Sequence, residues 1–216
     1  MPLDAREFKR RSKEFFPASY LTSIGVIQSV AMGLLAFRIL EANLTLQVAM
    51  QMIASFLAIF LIATEYMWWL LLIRRTPRHR DVAVPYVMGI FEFLAVGQVD
   101  NLESRWFFFM TFLTVVGVWA LLVGREDCEN PKQFTGSMWV QPLAIRNANK
   151  SIALVTAMGA TSLLAGLDLH LKFFESRGVE FRAWMLCLPA FYVFCAVILY
   201  SSSNFLQDIK NKFGVE

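Results

Sequence analysis

Six long runs of apolar residues occupy most of this chain of 216 residues. A helix of about 20 apolar residues is long enough to cross the hydrocarbon core of a bilayer. The sequence therefore predicts an all-α protein, a polytopic transmembrane helical bundle of about six spans. The predicted spans are residues 18–40, 46–73, 82–99, 104–123, 151–171 and 183–203.

The third predicted span is the weakest of the six. It is short, begins near Pro85, and contains the polar residues Glu92 and Gln98. Polar groups and a proline are tolerated at membrane depth where protein or water surrounds them. A re-entrant or strongly tilted segment is therefore the alternative to a full span over residues 82–99.

Basic residues are distributed unevenly between the two sides of the predicted membrane. Of the 20 Lys and Arg residues, fifteen lie on the side that holds both termini and five on the opposite side. Because cytoplasmic loops carry an excess of Lys and Arg, both termini are predicted to lie in the cytoplasm. The chain is then a multi-pass protein of the inner or plasma membrane. Its predicted parts are a basic amphipathic N-terminus (1–17), a membrane domain (18–206) with a cytoplasmic loop (124–150), and a cytoplasmic tail (207–216).

Composition argues against a soluble or catalytic protein. Hydrophobic residues make up 57% of the chain and charged residues 17%, so one membrane domain uses most of its length. Its two histidines lie far apart in sequence, and its three cysteines lack the spacing of a zinc site. We therefore expect no enzyme activity, no metal and no cofactor. The cations set topology in short loops, so we expect no nucleic-acid partner.

Two acidic residues lie deep in the predicted spans. At about 1.5 Å per residue, Glu65 and Glu92 are about 12 and 15 Å from the cytoplasmic ends of their helices, so we expect them at similar levels on neighbouring helices. Gln51 shares one helical face with Glu65, and Gln28 lies near the centre of the first span. These four residues are candidates for a cation or proton pathway or a charge sensor. The alternative is that the carboxyl groups are neutral and hydrogen-bonded between helices.

Two further groups of residues are interpreted from their spacing. Asp168 and His170, near the outer end of the fifth span, are candidates for a pH-responsive outer mouth; ordinary interfacial placement is the alternative. Gly25, Ser29 and Gly33 recur every four residues, a spacing typical of close helix contacts in membranes.

Two functional hypotheses follow. The first is a small homo-oligomeric, channel-like membrane effector or sensor that conducts ions or protons. The second is a membrane anchor or scaffold that recruits a cytoplasmic protein through its basic segments, residues 74–81 and 124–150. In either case five cations within residues 1–17 predict contact with anionic lipids, with simple anchoring of the first span as the alternative.

Overall fold

A computed structural model describes the backbone of residues 5–72, 79–99, 104–130, 140–177 and 182–213. Side chains are described for residues 21–67, 83–99, 104–130, 140–176, 182–209 and 211. These parts of the chain are helical and contain no strand. The helices are α1 (Ala5–Glu41), α2 (Leu46–Leu72), α3 (His79–Gly97), α4 (Arg105–Glu129), α5 (Val140–Leu171) and α6 (Trp184–Phe213), with one 3-10 turn at Glu175–Arg177.

Within the described residues, five of the helices are long and apolar enough to cross a membrane. They are α1, α2, α4, α5 and α6, and together they indicate a membrane-embedded protein. The described apolar part of α3, Ala83–Gly97, is shorter. The prediction of an all-helical membrane protein is therefore confirmed, while six spans remain a prediction.

The helices extend beyond the predicted apolar spans. α4 continues to Glu129, α5 begins at Val140, and α6 ends at Phe213. With its 32 residues, α5 is about 48 Å long at 1.5 Å per residue, longer than a hydrocarbon core of about 30 Å. Much of the predicted loop 124–150 is therefore helix, although residues 131–139 lie outside the described residues.

Contacts between α4, α5 and α6 show that neighbours in this group run antiparallel. Gly159 of α5 faces Thr114 of α4, and Gly166 faces Phe107, about two turns earlier along α4. Between α5 and α6, Asn147 bonds to Ser201 while Asp168 bonds to the backbone before α6. α4 and α6 therefore point in the same direction.

α2 runs parallel to α6, since Met50 contacts Tyr192 and Glu65 contacts Ser202. The short link between α1 and α2 reverses the chain direction. α3 lies alongside α1, where Ile27 faces Gly89.

Around the bundle, the sequence of neighbouring helices is α2, α6, α5, α4, α3 and α1. α2 also approaches α3 and α4, so its backbone comes close to four other helices. Among the described residues, α1 comes close to α2 and α3 alone. Of the five helices long enough to span a membrane, α1 has the smallest buried share and is the most peripheral, whereas α2 has the largest and is the most central.

The main hydrophobic core joins side chains from all six helices. A second, small cluster lies where α4, α5 and α6 extend beyond the predicted spans, and it consists of Cys128, Ala144 and Phe205. Gln141 donates a hydrogen bond to the carbonyl of Cys128 at 2.6 Å in the same region. We call these ends of α4, α5 and α6 the helical extension.

Candidate functional site

One face of α2 carries buried polar side chains along most of its length. Gln47, Gln51 and Ser55 are spaced four residues apart and are all buried. Glu65 lies on the same face further along the helix, with Ala58 and Ile62 between it and Ser55. We call Gln47, Gln51, Ser55 and Glu65 the polar face of α2. It faces the other helices, because Gln47, Gln51 and Ser55 are buried whereas Ile53 and Phe56 of the same helix are exposed.

Gln51 is the most unusual member of the polar face of α2. Its side chain is 0% exposed, and neither its amide nitrogen nor its amide oxygen has a hydrogen-bond partner within the described residues. The amide nitrogen of Gln47, one turn away, is also buried without a partner there. Buried amides are normally hydrogen-bonded, because desolvating one without compensation costs about 1–3 kcal/mol in proteins. Water or a permeating ion would satisfy such groups.

Hydrogen bonds from α4 and α6 hold α2 in this orientation. The indole nitrogen of Trp106 donates to the Ser55 hydroxyl at 3.0 Å, and both residues are buried. The hydroxyl of Tyr192 donates to the backbone carbonyl of Met50, next to Gln51. These bonds keep Gln51 in the interior of the bundle.

At the other end of α2, the hydroxyl of Ser202 donates to a carboxyl oxygen of Glu65 at 2.7 Å. Ser202 is 1% exposed, so this bond lies between two packed helices. The preceding residue, Ser201, donates to the amide oxygen of Asn147 on α5 at 3.1 Å. Two consecutive serines therefore connect α6 to α2 and to α5 through polar contacts.

Glu92 is almost completely buried, with 1% exposure, and lies between α3 and α1. The amide nitrogen of Gln28 donates to one of its carboxyl oxygens at 3.1 Å. The other carboxyl oxygen of Glu92 and the amide oxygen of Gln28 have no partner in the described part of the chain. The two residues form a polar contact between the peripheral helix and α3.

The structure does not bring the two carboxyl groups into one site. Glu65 bonds to α6 and Glu92 bonds to α1, so each belongs to a different pair of helices. The Tyr66 hydroxyl contacts the Met88 sulfur at 3.1 Å, so the residue after Glu65 reaches α3 about one turn before Glu92. Of the four pathway candidates, Gln51 and Glu65 share a face, whereas Gln28 and Glu92 form a separate pair.

Asp168 shapes the turn between α5 and α6. Its carboxyl oxygens accept hydrogen bonds from the backbone nitrogens of Ala183, at 2.9 Å, and Phe174, at 3.3 Å. α5 ends with Lys172 in a left-handed conformation (φ 49°) and with the nitrogen of Phe173 bonded to the Asp168 carbonyl. This is the Schellman arrangement of a helix C-terminus. Asp168 is thus placed to hold the turn.

His170 lies apart from these bonds. It is exposed, and its ring makes an edge contact with Phe108, with 6.1 Å between ring centroids. It shares the C-terminal end of α5 with Asp168 but faces another direction, since His170 is exposed and Asp168 is buried. The interpretation of His170 as a pH-responsive group stays a prediction.

Gly25, Ser29 and Gly33 lie on the outward face of α1 and are exposed. A side chain added at Gly25 or Gly33 would meet open space. The Ser29 hydroxyl bonds to the Gly25 carbonyl of its own helix at 2.7 Å. Within this chain, therefore, these three residues do not form the close helix contact that their spacing predicts.

Several residues of the site were not singled out from the sequence. Ser202 belongs to a run of three serines in an otherwise apolar segment, and Gln47 continues the four-residue spacing of Gln51 and Ser55. The serine run and the four-residue spacing are sequence signals that could have identified Ser202 and Gln47. Trp106 resembled an interfacial aromatic residue, and nothing in the sequence indicated its bond to Ser55.

Among the described residues, no three His, Cys, Asp or Glu side chains are grouped so that they could hold a metal ion. The basic segment 74–81 lies mostly outside the described residues, as do the side chains of the basic N-terminus, 1–17. No family model, curated protein or solved structure matches the chain.

Proposed function

We propose that this protein is a channel-like membrane protein that passes protons or small ions along the polar face of α2. The observation that carries the proposal is Gln51, a fully buried amide with neither polar atom partnered in the described structure. In lipid a polar group without a partner is costly, and such residues commonly mark a pathway. The pathway would lie among α2 and the helices that approach it.

The polar face of α2 offers groups at both ends of such a pathway. Gln47 and Gln51 lie in the first two turns of α2, and Glu65 lies about 21 Å from Gln51 along the helix. A carboxylate at one end favours cations. Ala58 and Ile62 separate the two ends with apolar side chains, and an apolar constriction can close a pore by excluding water. A signal that widens this stretch would open the pathway, as expected of an effector or sensor.

The proposed protein crosses the inner or plasma membrane six times, and both of its termini lie in the cytoplasm. The contact between Gln28 and Glu92 supports a sixth span, because it places the middle of α3 against the apolar part of α1. The ratio of fifteen cations to five supports the orientation. Assembly from several copies is also part of the proposal, and the exposed small residues of α1 favour it. Native mass measurement of the detergent complex tests the assembly.

The pathway is tested by ion and proton flux into liposomes that contain the purified protein. Gln51→Leu keeps a side chain of similar size but removes the amide. We expect it to lower flux at least about tenfold, since losing a polar contact of about 1.4 kcal/mol in an apolar path has that effect. Glu65→Gln can still accept the Ser202 hydrogen bond, so it should reduce cation flux while the fold persists.

Thr156→Val is the matched control for both variants. Thr156 is exposed on α5, and its hydroxyl bonds to the carbonyl of Ile152 in its own helix. This variant removes a polar group from a membrane helix away from the polar face of α2, so its flux should equal that of the unmodified chain. Unchanged flux in Gln51→Leu and Glu65→Gln, with both proteins folded, contradicts the proposal.

A second candidate function, a membrane scaffold, is supported by the helical extension. Its separate core of Cys128, Ala144 and Phe205 gives it a packed interior beyond the predicted spans. Arg146 and Lys150 are exposed on the part of α5 that belongs to the helical extension. A scaffold should copurify with a cytoplasmic protein and lose it in the double variant Arg146→Ala, Lys150→Ala. Copurification that survives the double variant argues against docking at this surface.

A further inference from the structure

The pair formed by Gln28 and Glu92 is not used by the pathway along α2, and it has a chemistry of its own. The amide nitrogen of Gln28 donates to one carboxyl oxygen of Glu92 at 3.1 Å. The second carboxyl oxygen of Glu92 and the single amide oxygen of Gln28 are buried and have no partner within the described residues. Glu92 is 1% exposed, so bulk water does not reach it through the surface of the described chain.

Both unpartnered atoms are hydrogen-bond acceptors. An ionised carboxyl group only accepts hydrogen bonds, and an amide oxygen also only accepts them. The free carboxyl oxygen of Glu92 and the amide oxygen of Gln28 are therefore two buried acceptors that lack a donor within the described residues. A single proton on the free carboxyl oxygen supplies that donor, because the resulting O–H can point to the amide oxygen of Gln28. The two residues then make two reciprocal hydrogen bonds.

We propose that the Gln28 and Glu92 pair is a proton-binding site between α1 and α3. The Glu92 carboxyl group carries the proton, and its O–H donates a hydrogen bond to the Gln28 amide oxygen. The ligand is a proton taken from water. An alkali cation fits less well: hard cations prefer about six oxygen ligands, and this pair supplies two unpartnered ones.

The surroundings of Glu92 provide little to stabilise a negative charge. α2 contributes two titratable side chains near this level, Tyr66, whose hydroxyl contacts Met88, and Glu65, which is bonded to Ser202. α4 presents Phe112, stacked on Phe91 of α3. Charged residues of α4 lie near its two ends, and those of α3 other than Glu92 lie in its first turn.

From α1, the nearest described cation along the helix is Arg38, about 15 Å from Gln28 at 1.5 Å per residue. No side chain from these helices is therefore placed as a counter-ion for Glu92 within the described structure. In the described part of the chain α1 approaches α2 and α3 alone, so the protonated pair would be a main polar connection between α1 and the bundle.

Infrared spectroscopy of the purified full chain in lipid tests this site directly, because protonated and ionised carboxyl groups absorb at separate frequencies. We expect a protonated-carboxyl band at neutral pH that shifts in D2O and disappears in Glu92→Gln. In Gln28→Leu the band should remain but move to higher frequency, because the carbonyl loses its hydrogen bond from the amide. Glu65→Gln is the control and should leave the Glu92 band unchanged.

The Gln28→Leu variant keeps the test valid if Glu92→Gln does not fold. If Glu92→Gln removes an ionised-carboxylate band and not a protonated-carboxyl band, Glu92 is ionised and the proposal is overturned. A carboxylate band that shifts when sodium replaces a large organic cation also overturns it, in favour of a metal cation. The test does not depend on ion flux, so its outcome is independent of the proposed pathway.

Discussion

Hydrogen bonds between side chains of different helices hold several polar residues of this bundle in place, among them Ser55, Glu65 and Glu92. Ser202 contributes one of them, to Glu65 at 2.7 Å, from a position that is 1% exposed. Ser203, the next residue, is exposed. The two serines therefore differ in surroundings while sharing the same chemistry and the same helix.

Ser202→Ala should lower the free energy of unfolding by about 1–3 kcal/mol, because it leaves the buried Glu65 oxygen without its donor. Ser203→Ala should change it by less than about 0.5 kcal/mol, as expected of an exposed position. Denaturant unfolding of the purified protein in detergent measures both. Equal effects in the two variants would show that the Glu65 bond adds no stability.

At the scale of helices, the contact of α4 with α5 depends on a close approach at Gly159. A side chain added there would collide with Thr114, whose hydroxyl bonds back to the Thr111 carbonyl. At Gly117, on the other helix, an added side chain would be in ordinary contact with Val155 at 3.5 Å. Glycine is thus required for packing at the first position and not at the second.

Gly159→Ala should destabilise the protein by about 1–3 kcal/mol, the usual cost of overpacking a dense core. Gly117→Ala should be neutral or stabilising by up to about 1 kcal/mol, because alanine favours helix over glycine. Thermal unfolding of both variants checks the contrast. A stable Gly159→Ala protein would mean that α4 and α5 pack less closely than described.

Whether α3 crosses the membrane is also a question about a single helix. Gln98 follows the end of α3, and six spans place it on the outer side of the membrane. Gln98→Cys in intact cells should react with a maleimide that cannot cross membranes. Reaction only after the cells are opened would indicate a re-entrant α3 and an odd number of spans.

For the whole molecule, the apolar runs predicted where the helices lie, because hydrophobic length is a local property. They did not predict the end of α4, the beginning of α5 or the end of α6. These helices continue through polar residues beyond the apolar runs. The polar face of α2 was visible as a periodic pattern. The partners of Glu65 and Glu92 were not, because they depend on how six helices are rotated against each other.

If ions or protons pass along the polar face of α2, that face must border water inside the bundle. Cysteine substitution tests this most directly, with a small, charged, water-soluble thiol reagent applied to the protein in liposomes. Gln51→Cys lies on the polar face, whereas Ile53→Cys is the control, because Ile53 is exposed on the side of α2 that points away from the bundle. Background reaction is measured in the unmodified chain, whose Cys128 and Cys195 are buried.

We predict that Gln51→Cys reacts with the reagent and that Ile53→Cys stays at the background level. Reaction at residue 51 should also block the flux of ions or protons. An unreactive Gln51→Cys protein, under conditions in which Gln98→Cys reacts, would contradict a water-accessible pathway along α2.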